Sequence, residues 1–374
     1  MANTFLTPSI IAKEALLSLE NAMGMAETVY QDYKAEFKNI GDTITIRKPA
    51  SFTAIEFDGD LTGEYQDITE SSTTLVLDKI LDVSFLVGSK ELSLDIVNFR
   101  KQILDPAMQA ISQKLDTLLC SLYADVANFI AYNSSTEATK LANLADAMAL
   151  LNGEKAPLMP RYAMVDETTQ AGLVVVPSFL NAEKSGTTAT LRNSSMGKLF
   201  GADFYMNQNV QDHTWTAYAD LAGAVDNGNI TVGSTTVHID ALGSGVISKG
   251  TLLTFAGQST NYVVTADVTI ASNEADIDIY PALKTAIVDG DVVTFYTQAT
   301  ENLIYHKNAF ALAFRPLEPP LGGAKGVQLN WRGLPLRMTY DYNMNTKANI
   351  CSIDLLCGVK TLTPELAVRL RKAT

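Results

Sequence analysis

Apolar and polar positions along this chain repeat with two periods, and the changes between them mark its elements. Ile11, Ala15, Leu19 and Ala22 recur at helical spacing behind Thr7 and Pro8, an N-cap and a first-turn proline, so an amphipathic helix is predicted there. Gly41 and Asp42 end this arm, and Thr43 to Arg47 alternates as a strand until Lys48-Pro49 breaks it. From Pro49 to Ser72 the pattern lapses into an exposed loop with six acids (Glu56, Asp58, Asp60, Glu64, Asp67 and Glu70) and no base. Leu75, Leu77, Leu81, Val83, Phe85 and Val87 then share one face of a predicted strand over Thr74 to Val87. At about 14 residues it would span roughly 45 Å and form, with the Thr43 strand, a long hairpin leaving the compact body.

A long helix is predicted next, with Asp105 as N-cap, Pro106 in the first turn and Met108, Ile111, Leu115, Leu118, Leu119, Leu122 and Val126 on one face. Run to Ala131, it would measure roughly 39 Å. A helix over Leu141 to Leu151 stopped by Gly153, a strand over Tyr162 to Val165 and a helix opened by Asp166 follow, an alternation that predicts an α/β unit. Gly197 to Gly201 and Ala202 to Met206 read as a turn and a strand. Between Asp226 and Thr297 the composition shifts to Val, Thr, Ile and Gly. Short strands at Thr235 to Ile239, Leu252 to Phe255, Tyr262 to Thr265, Ala275 to Ile279 and Asp291 to Tyr296 predict a separate small barrel or sandwich. The earlier style resumes at Leu303 to Phe314, followed by a Pro/Gly-rich connector. Strands over Leu336 to Tyr342 and Ile350 to Leu356 form a hairpin, and Thr363-Pro364 opens a last short helix ending in Arg369, Arg371 and Lys372.

Composition sharpens this picture in three ways. At 374 residues and 47% hydrophobic, the chain can bury a substantial core, and its apolar runs fall far short of the ~20 residues of a membrane helix. The opening residues lack the basic and apolar regions of a secretory signal, so synthesis in cytoplasm is expected. Acids outnumber bases 41 to 28 with no Lys/Arg cluster, which argues against tight phosphate-mediated binding of nucleic acid. The charge is uneven: the β module carries eight acids and two bases, a net −6, whereas Glu301 to the end carries ten bases and five acids. The acidic loop and the basic end are electrostatic partners, within a chain or between chains.

Candidate chemistry is sparse. The three histidines, His213, His238 and His306, lack metal-ligand spacing to one another or to a cysteine. Asp212-His213 could serve as a base and its orienter, but a hydrogen-bonded structural histidine accounts for it as well. The glycine run at Gly322 to Gly326 reads as a connector, and the Asp58-Gly-Asp60 and Asp289-Gly-Asp291 triplets lack the further ligands of a calcium loop. Cys351 and Cys357 would lie about 20 Å apart on an extended strand, outside disulfide range, and read as buried thiols. No catalytic residue, cofactor or metal site is expected, and the chain is read as a non-enzyme.

The opening MANTFLTPSIIAKEALLSLENAM, then KNIGDTITIRKP, YHKNAFALAFRPLE and the closing GVKTLTPELAVRLR resemble the coat-protein family of short-tailed Salmonella-type podoviruses. The order of elements likewise resembles the Hong Kong-type shell fold of tailed phages, an α+β class. The resemblance implies an N-terminal arm over 1–40, an extended hairpin loop over 41–92 and a peripheral-domain spine helix over 93–133. It further implies an axial domain over 134–224 and 300–333, an inserted β-barrel-like domain over 225–299, and a terminal peripheral-domain hairpin and C-terminal helix over 334–374. The function implied is that of a major capsid protein building hexamers and pentamers of an icosahedral shell. Scaffolding protein, a portal at one vertex and enclosed double-stranded DNA would be its partners, with no membrane; assembly would take place in the host cytoplasm and the mature location would be the virion. A compartment shell of the same fold and a glycan-binding virion protein are the alternatives. The expected inter-subunit contacts pair Glu56, Asp58, Asp60, Glu64, Asp67 and Glu70 of one subunit with Arg332, Arg337, Arg369 and Arg371 of another.

Overall fold

The computed structural model describes residues 24–31, 43–48, 54, 71–88, 105–133, 135–181, 190, 193–194, 196–214, 222–226, 228–296, 298–318, 320, 325–331, 334–345 and 348–373. They fall into two compact units. The expected N-terminal helix lies outside the described residues.

One unit draws on Gln31–Ile111 and Leu312–Leu362. Its main sheet contains Phe310–Arg315, Ala348–Thr361, Leu334–Asn343 and Lys325–Trp331 in that order, with Lys79–Gly88 also paired to Ala348–Thr361. The terminal hairpin is thus present, and period-two alternation gives it a buried side: Leu336, Met338, Cys351, Ile353, Leu355 and Cys357 are all buried. Both cysteines are free thiols, and burial pushes each up to about 12.

The strand expected over Thr74 to Val87 is two strands. Ser71–Val76 pairs antiparallel with Thr43–Lys48, giving the expected hairpin, but after Leu77-Asp78 the chain joins a different sheet. Lys79–Gly88 pairs along its length with Ala348–Thr361, from Lys79 opposite Cys357 to Gly88 opposite Ala348. One apolar face carries through the break because Leu75, Leu77 and Leu81 are all buried, which hides the change of partner from the sequence pattern. Gly358 makes the transfer possible: the Val76 carbonyl passes where a side chain on residue 358 would stand.

The other unit draws on Ala22–Tyr30, Ser112–Ala311 and Thr363–Thr374. Its mixed sheet runs Phe129–Ala131, Ala367–Ala373, Ala299–His306, Arg161–Val165, Ala202–Met206 and Lys198–Leu199, with Asp212–His213 also paired to Ala299–His306. The helices Glu137–Gly153 and Glu167–Val174 cover one face, packing Leu144, Ala147, Leu151 and Leu173 against Ala163, Val165, Ile304, Val368 and Leu370. The first begins earlier than Leu141 because Thr136 and Thr139 cap each other's backbone N–H groups. The second is capped by Asp166, as its sequence position predicts. Across the sheet, Thr28 and Tyr305 hydroxyls meet at 2.5 Å, and Asp116 accepts a hydrogen bond from Ala26 N–H.

Two helix expectations are corrected. The long helix spans Asp105–Cys120, gives one 3-10 turn over Ser121–Asp125, and becomes extended at Val126, because Phe129–Ala131 is needed as a strand. The C-terminal helix is a single 3-10 turn, Pro364–Leu366, followed by the strand Ala367–Ala373. Val368 and Leu370 face the helices while Arg369 and Arg371 face the other way, a period of two that a two-turn window cannot tell from a helix with a basic end.

Six strands close into a barrel: Ala222–Val225, Thr236–Asp240, Leu252–Phe255, Tyr262–Val264, Ala275–Tyr280 and Val292–Phe295. Val237, Ile239, Leu253, Phe255, Tyr262, Ile277, Ile279, Val293 and Phe295 fill its interior. The strand Ala222–Val225 precedes the change in composition and carries no β-branched run. Its Gly223 lies so close to Ile239 that a Cβ there would stand 2.6 Å from the Ile239 methyl, so small residues are required where a strand former would be expected. The chain enters and leaves this region at adjacent register positions of the sheet, His213 opposite Ala299 and Asp212 opposite Thr300.

A Gly358→Ala substitution should force Val76 away from the sheet and lower stability by about 1–3 kcal/mol, read as a lower urea midpoint at unchanged slope.

Candidate functional site

Two features stand out as functional candidates: the residues expected to join subunits, and the charged cluster beneath the barrel. Glu56, Asp58, Asp60, Glu64, Asp67, Glu70 and Arg332 lie outside the described residues. Arg337 is engaged within its own sheet, donating from Nε and Nη2 to Asp354 Oδ2 at 2.9 and 2.5 Å and from Nη1 to the Glu318 carbonyl at 2.8 Å. Arg369 and Arg371 require a correction: at 0% and 6% exposure they form no basic surface for a neighbour to meet. Strand alternation turns both toward the barrel, where they meet Glu301, itself 1% exposed.

Glu301 lies directly opposite Arg371 in the antiparallel pair and accepts from its Nε at 2.7 Å, while Arg369 Nη1 is 3.7 Å from the same oxygen. Arg369 Nη1 also donates to the carbonyl of Gly250, in the barrel, at 2.8 Å. Both guanidinium groups lie over aromatic rings, Arg369 over Tyr123 at 5.1 Å, and Arg371 over Phe129 and Tyr296 at 5.5 and 5.7 Å. Desolvation works against the Arg369 charge and lowers its pKa to about 10 against the upward pull of Glu301.

His213 completes the cluster. Thr251 Oγ1 donates its one hydrogen to the Ser248 carbonyl at 2.7 Å, so at the 3.1 Å contact His213 Nε2 must be the donor. Nδ1 therefore accepts from the Tyr123 hydroxyl at 3.1 Å. This neutral tautomer agrees with a pKa held down to about 4 by burial and then by the charges of Arg369 and Arg371. The Asp212 carboxylate accepts from Thr300 at 2.7 Å and makes no hydrogen bond to the imidazole, so a base with its orienter is not assembled here.

Around this polar centre the barrel is seated by packing. Ala127, Phe129, Leu252 and Val263 form a shared apolar cluster with Tyr280 and Tyr296 against it. Gly250, at φ +93°, presses so near that a Cβ would be 2.8 Å from that of Ala124. Lys249 pairs with Asp125 at 2.7 Å, and the Tyr280 hydroxyl donates to Glu365. Sequence patterns alone do not single out Glu301, Gly250 or Asp125; the register that faces Glu301 with an arginine becomes visible only once Ala367–Ala373 is known to be a strand.

Two further clusters complete the electrostatics. On the barrel, His238 Nδ1 is 2.7 Å from Asp276 and Nε2 is 3.8 Å from Glu274; the Asp276 hydrogen bond holds this imidazole above its ordinary value. On the long sheet, Asp82 and Asp354 stand directly opposite each other. Burial, then a hydrogen bond with Asp82, raises Asp354. For Asp82, burial also acts upward but is outweighed by bonds with Asp354, Ser352 and Ser84, so it is held low. Among the described residues no cluster of three or more His, Cys, Asp or Glu side chains could hold a metal, and no helix is long and apolar enough to cross a membrane.

No protein-family model matches the chain, and no curated protein does. Solved structures do. Mycobacterium phage Che8 matches at 12% identity and a TM-score of 0.54, over 93% of this chain and 90% of its own. The capsid structure of cyanophage P-SCSP1u matches at 12% and 0.52, over 94% and 88%. The capsid of Ralstonia phage GP4 matches at 10% and 0.50, over 94% and 90%. At these identities the likeness establishes the fold, an α+β architecture of the phage-capsid kind.

Removing Glu301 leaves two guanidinium groups buried with their common counter-charge gone. Glu301→Ala should destabilise the chain by about 3–5 kcal/mol in urea unfolding, whereas Asp212→Asn, at an exposed site, should stay within about 0.5 kcal/mol. Because the folded His238 value lies above the unfolded one, its contribution is full below the unfolded value and disappears as pH rises through the folded value. Wild-type stability should therefore fall between about pH 6 and about pH 8 by more than that of His238→Gln, and equal slopes would refute this contribution.

Proposed function

We propose that this chain is a major capsid protein that assembles as hexamers and pentamers of an icosahedral shell enclosing double-stranded DNA, and that it performs no catalysis. The carrying observation is the extent of the structural likeness: the two capsid structures align over 94% of the chain, so the likeness is not confined to one common module. The closeness to Salmonella-type podovirus coat proteins rests on the sequence segments at the two ends and at Tyr305 to Glu318. On this reading residues 41–92 form the extended loop, 93–133 carry the spine helix, 134–224 and 300–333 form the axial domain, and 334–374 complete the peripheral domain. The barrel is a domain inserted into the axial domain. Scaffolding protein, a portal and packaged DNA are the partners, and assembly precedes residence in the virion.

Contacts between subunits in such a shell need be only weakly favourable one at a time. An exposed ion pair contributes about 0.2–1 kcal/mol, and a closed shell repeats it at every equivalent interface, which permits misplaced subunits to leave. The acidic segment from Glu56 to Glu70 is proposed to lie against basic side chains of a neighbour. Arg332 remains a candidate for that role, while Arg369 and Arg371 are withdrawn by their burial.

Electron microscopy of the purified chain, with and without a candidate scaffolding protein, should show closed shells or rings of five and six subunits; a small uniform oligomer under both conditions would overturn the capsid reading. Reversing the charges of Glu56, Asp58, Asp60, Glu64, Asp67 and Glu70 should slow assembly and flatten its dependence on salt. Assembly unchanged in both respects would remove the acidic segment from the contact.

A further inference from the structure

The face of the strand pair Lys79–Gly88 and Ala348–Thr361 opposite Ile353 and Leu355, where Asp82 is exposed and Asp354 is buried, carries an arrangement that ordinary hydrogen-bond accounting does not close. Ser352 Oγ lies 2.5 Å from Asp82 Oδ1 and 2.8 Å from Asp354 Oδ1. A serine hydroxyl has one hydrogen, so it satisfies one carboxylate and turns a lone pair toward the other. Asp82 Oδ2 takes the hydroxyl of Ser84 at 2.8 Å, and Asp354 Oδ2 takes Arg337. The two oxygens that meet at Ser352 therefore have one hydrogen between them unless a carboxyl supplies a second.

Charge leads to the same place. Asp82 and Asp354 are register partners across the pair, and like charges directly opposite on neighbouring strands weaken the pairing. From the strand Leu334–Asn343, Arg337 faces the site and neutralises one of the two; its register partner beyond, Gln328, is uncharged. The connector bearing Glu318 contributes a backbone carbonyl to Arg337. At the start of the strand, Lys79 is paired with Asp78 at 2.8 Å. The site thus holds two acids and one base, with a shared hydroxyl where a proton would bridge them.

We propose that Asp82 and Asp354 share one proton, which makes the attachment of strand Lys79–Gly88 to its neighbour a proton-sensitive clasp that tightens in mild acid. The proton comes from solvent and resides on one carboxyl, which then donates toward Ser352 Oγ while the Ser352 hydrogen serves the other carboxylate. The opposed directions in which the two carboxyls are shifted fit a pair that titrates as one site. The signs bracket a window. The contribution of the raised group, Asp354, is lost as pH rises through its folded value, and that of the lowered group, Asp82, is lost as pH falls through its own. Attachment is strongest between the two. The strand joins directly to the hairpin Thr43–Lys48 and Ser71–Val76, so the clasp sets how firmly the base of that hairpin is held.

Hydrogen exchange by mass spectrometry on the full wild-type chain, corrected for intrinsic rates, tests this at about pH 8 and about pH 5. Protection of peptides covering Lys79–Gly88 should rise about two- to fivefold at the lower pH, the exchange equivalent of relieving one opposed like-charge pair. Helix Glu137–Gly153 serves as the reference and should not share the rise. In Asp82→Asn, where one partner is permanently neutral, protection should be high at both values and the dependence on pH should vanish. A flat wild-type profile, a rise shared by the reference helix, or a dependence that persists in Asp82→Asn would each overturn the proposal. Should Asp82→Asn fail to fold, the wild-type comparison of strand with helix decides alone.

Discussion

The fixed point of the barrel-bearing unit is one carboxylate. Glu301 lies on the central strand of the mixed sheet and holds two arginines of the terminal strand, one of which reaches on to a carbonyl of the barrel. Burying three charges carries a desolvation penalty of several kcal/mol per ion, and a wholly apolar contact of the same volume would serve stability as well or better. What a charged centre adds is direction. Apolar surfaces such as Phe129, Leu252 and Val263 can slide over one another, whereas a guanidinium that must face both a carboxylate and a carbonyl fixes register and orientation.

This cluster also changes how the charge of the chain is to be understood. The basic excess after Glu301 looks in sequence like a patch offered to an acidic partner, yet two of its members are internal and a third, Arg337, is bound to Asp354. Among the described residues burial removes four acids and three arginines, so the negative sequence balance of −13 is left almost unchanged.

Much of the architecture is legible in the order of residues alone. The cap at Asp166, the breaks around the barrel strands and the alternation in the terminal hairpin are local signals, and local signals survive in sequence. Expectations fail where a non-local partner decides the outcome. The chain at Leu77-Asp78 changes sheets without interrupting its apolar face, and only Gly358, far along the chain, makes that crossing possible. Ala367–Ala373 has the composition of a helix end but is captured by two flanking strands. Ala222–Val225 is a strand only because a barrel needs a thin one there. The buried cluster is hidden for the same reason: Glu301 and Arg369 are ordinary surface residue types until the register between their strands is known.

The pairing of His213 with Ala299 makes the sheet indifferent to the length of chain between them. The chain leaves at His213 and returns at Ala299, two ends of one rung, so the sheet is closed whether the intervening segment is a tight turn or a whole barrel. The entropy of joining two such points grows only slowly with the length of chain between them, by about 0.6 kcal/mol for each doubling. A position of this kind therefore tolerates wide variation in the length of chain between its two strands. The contact of Arg369 with the Gly250 carbonyl ties such a length of chain back to the sheet it departs from.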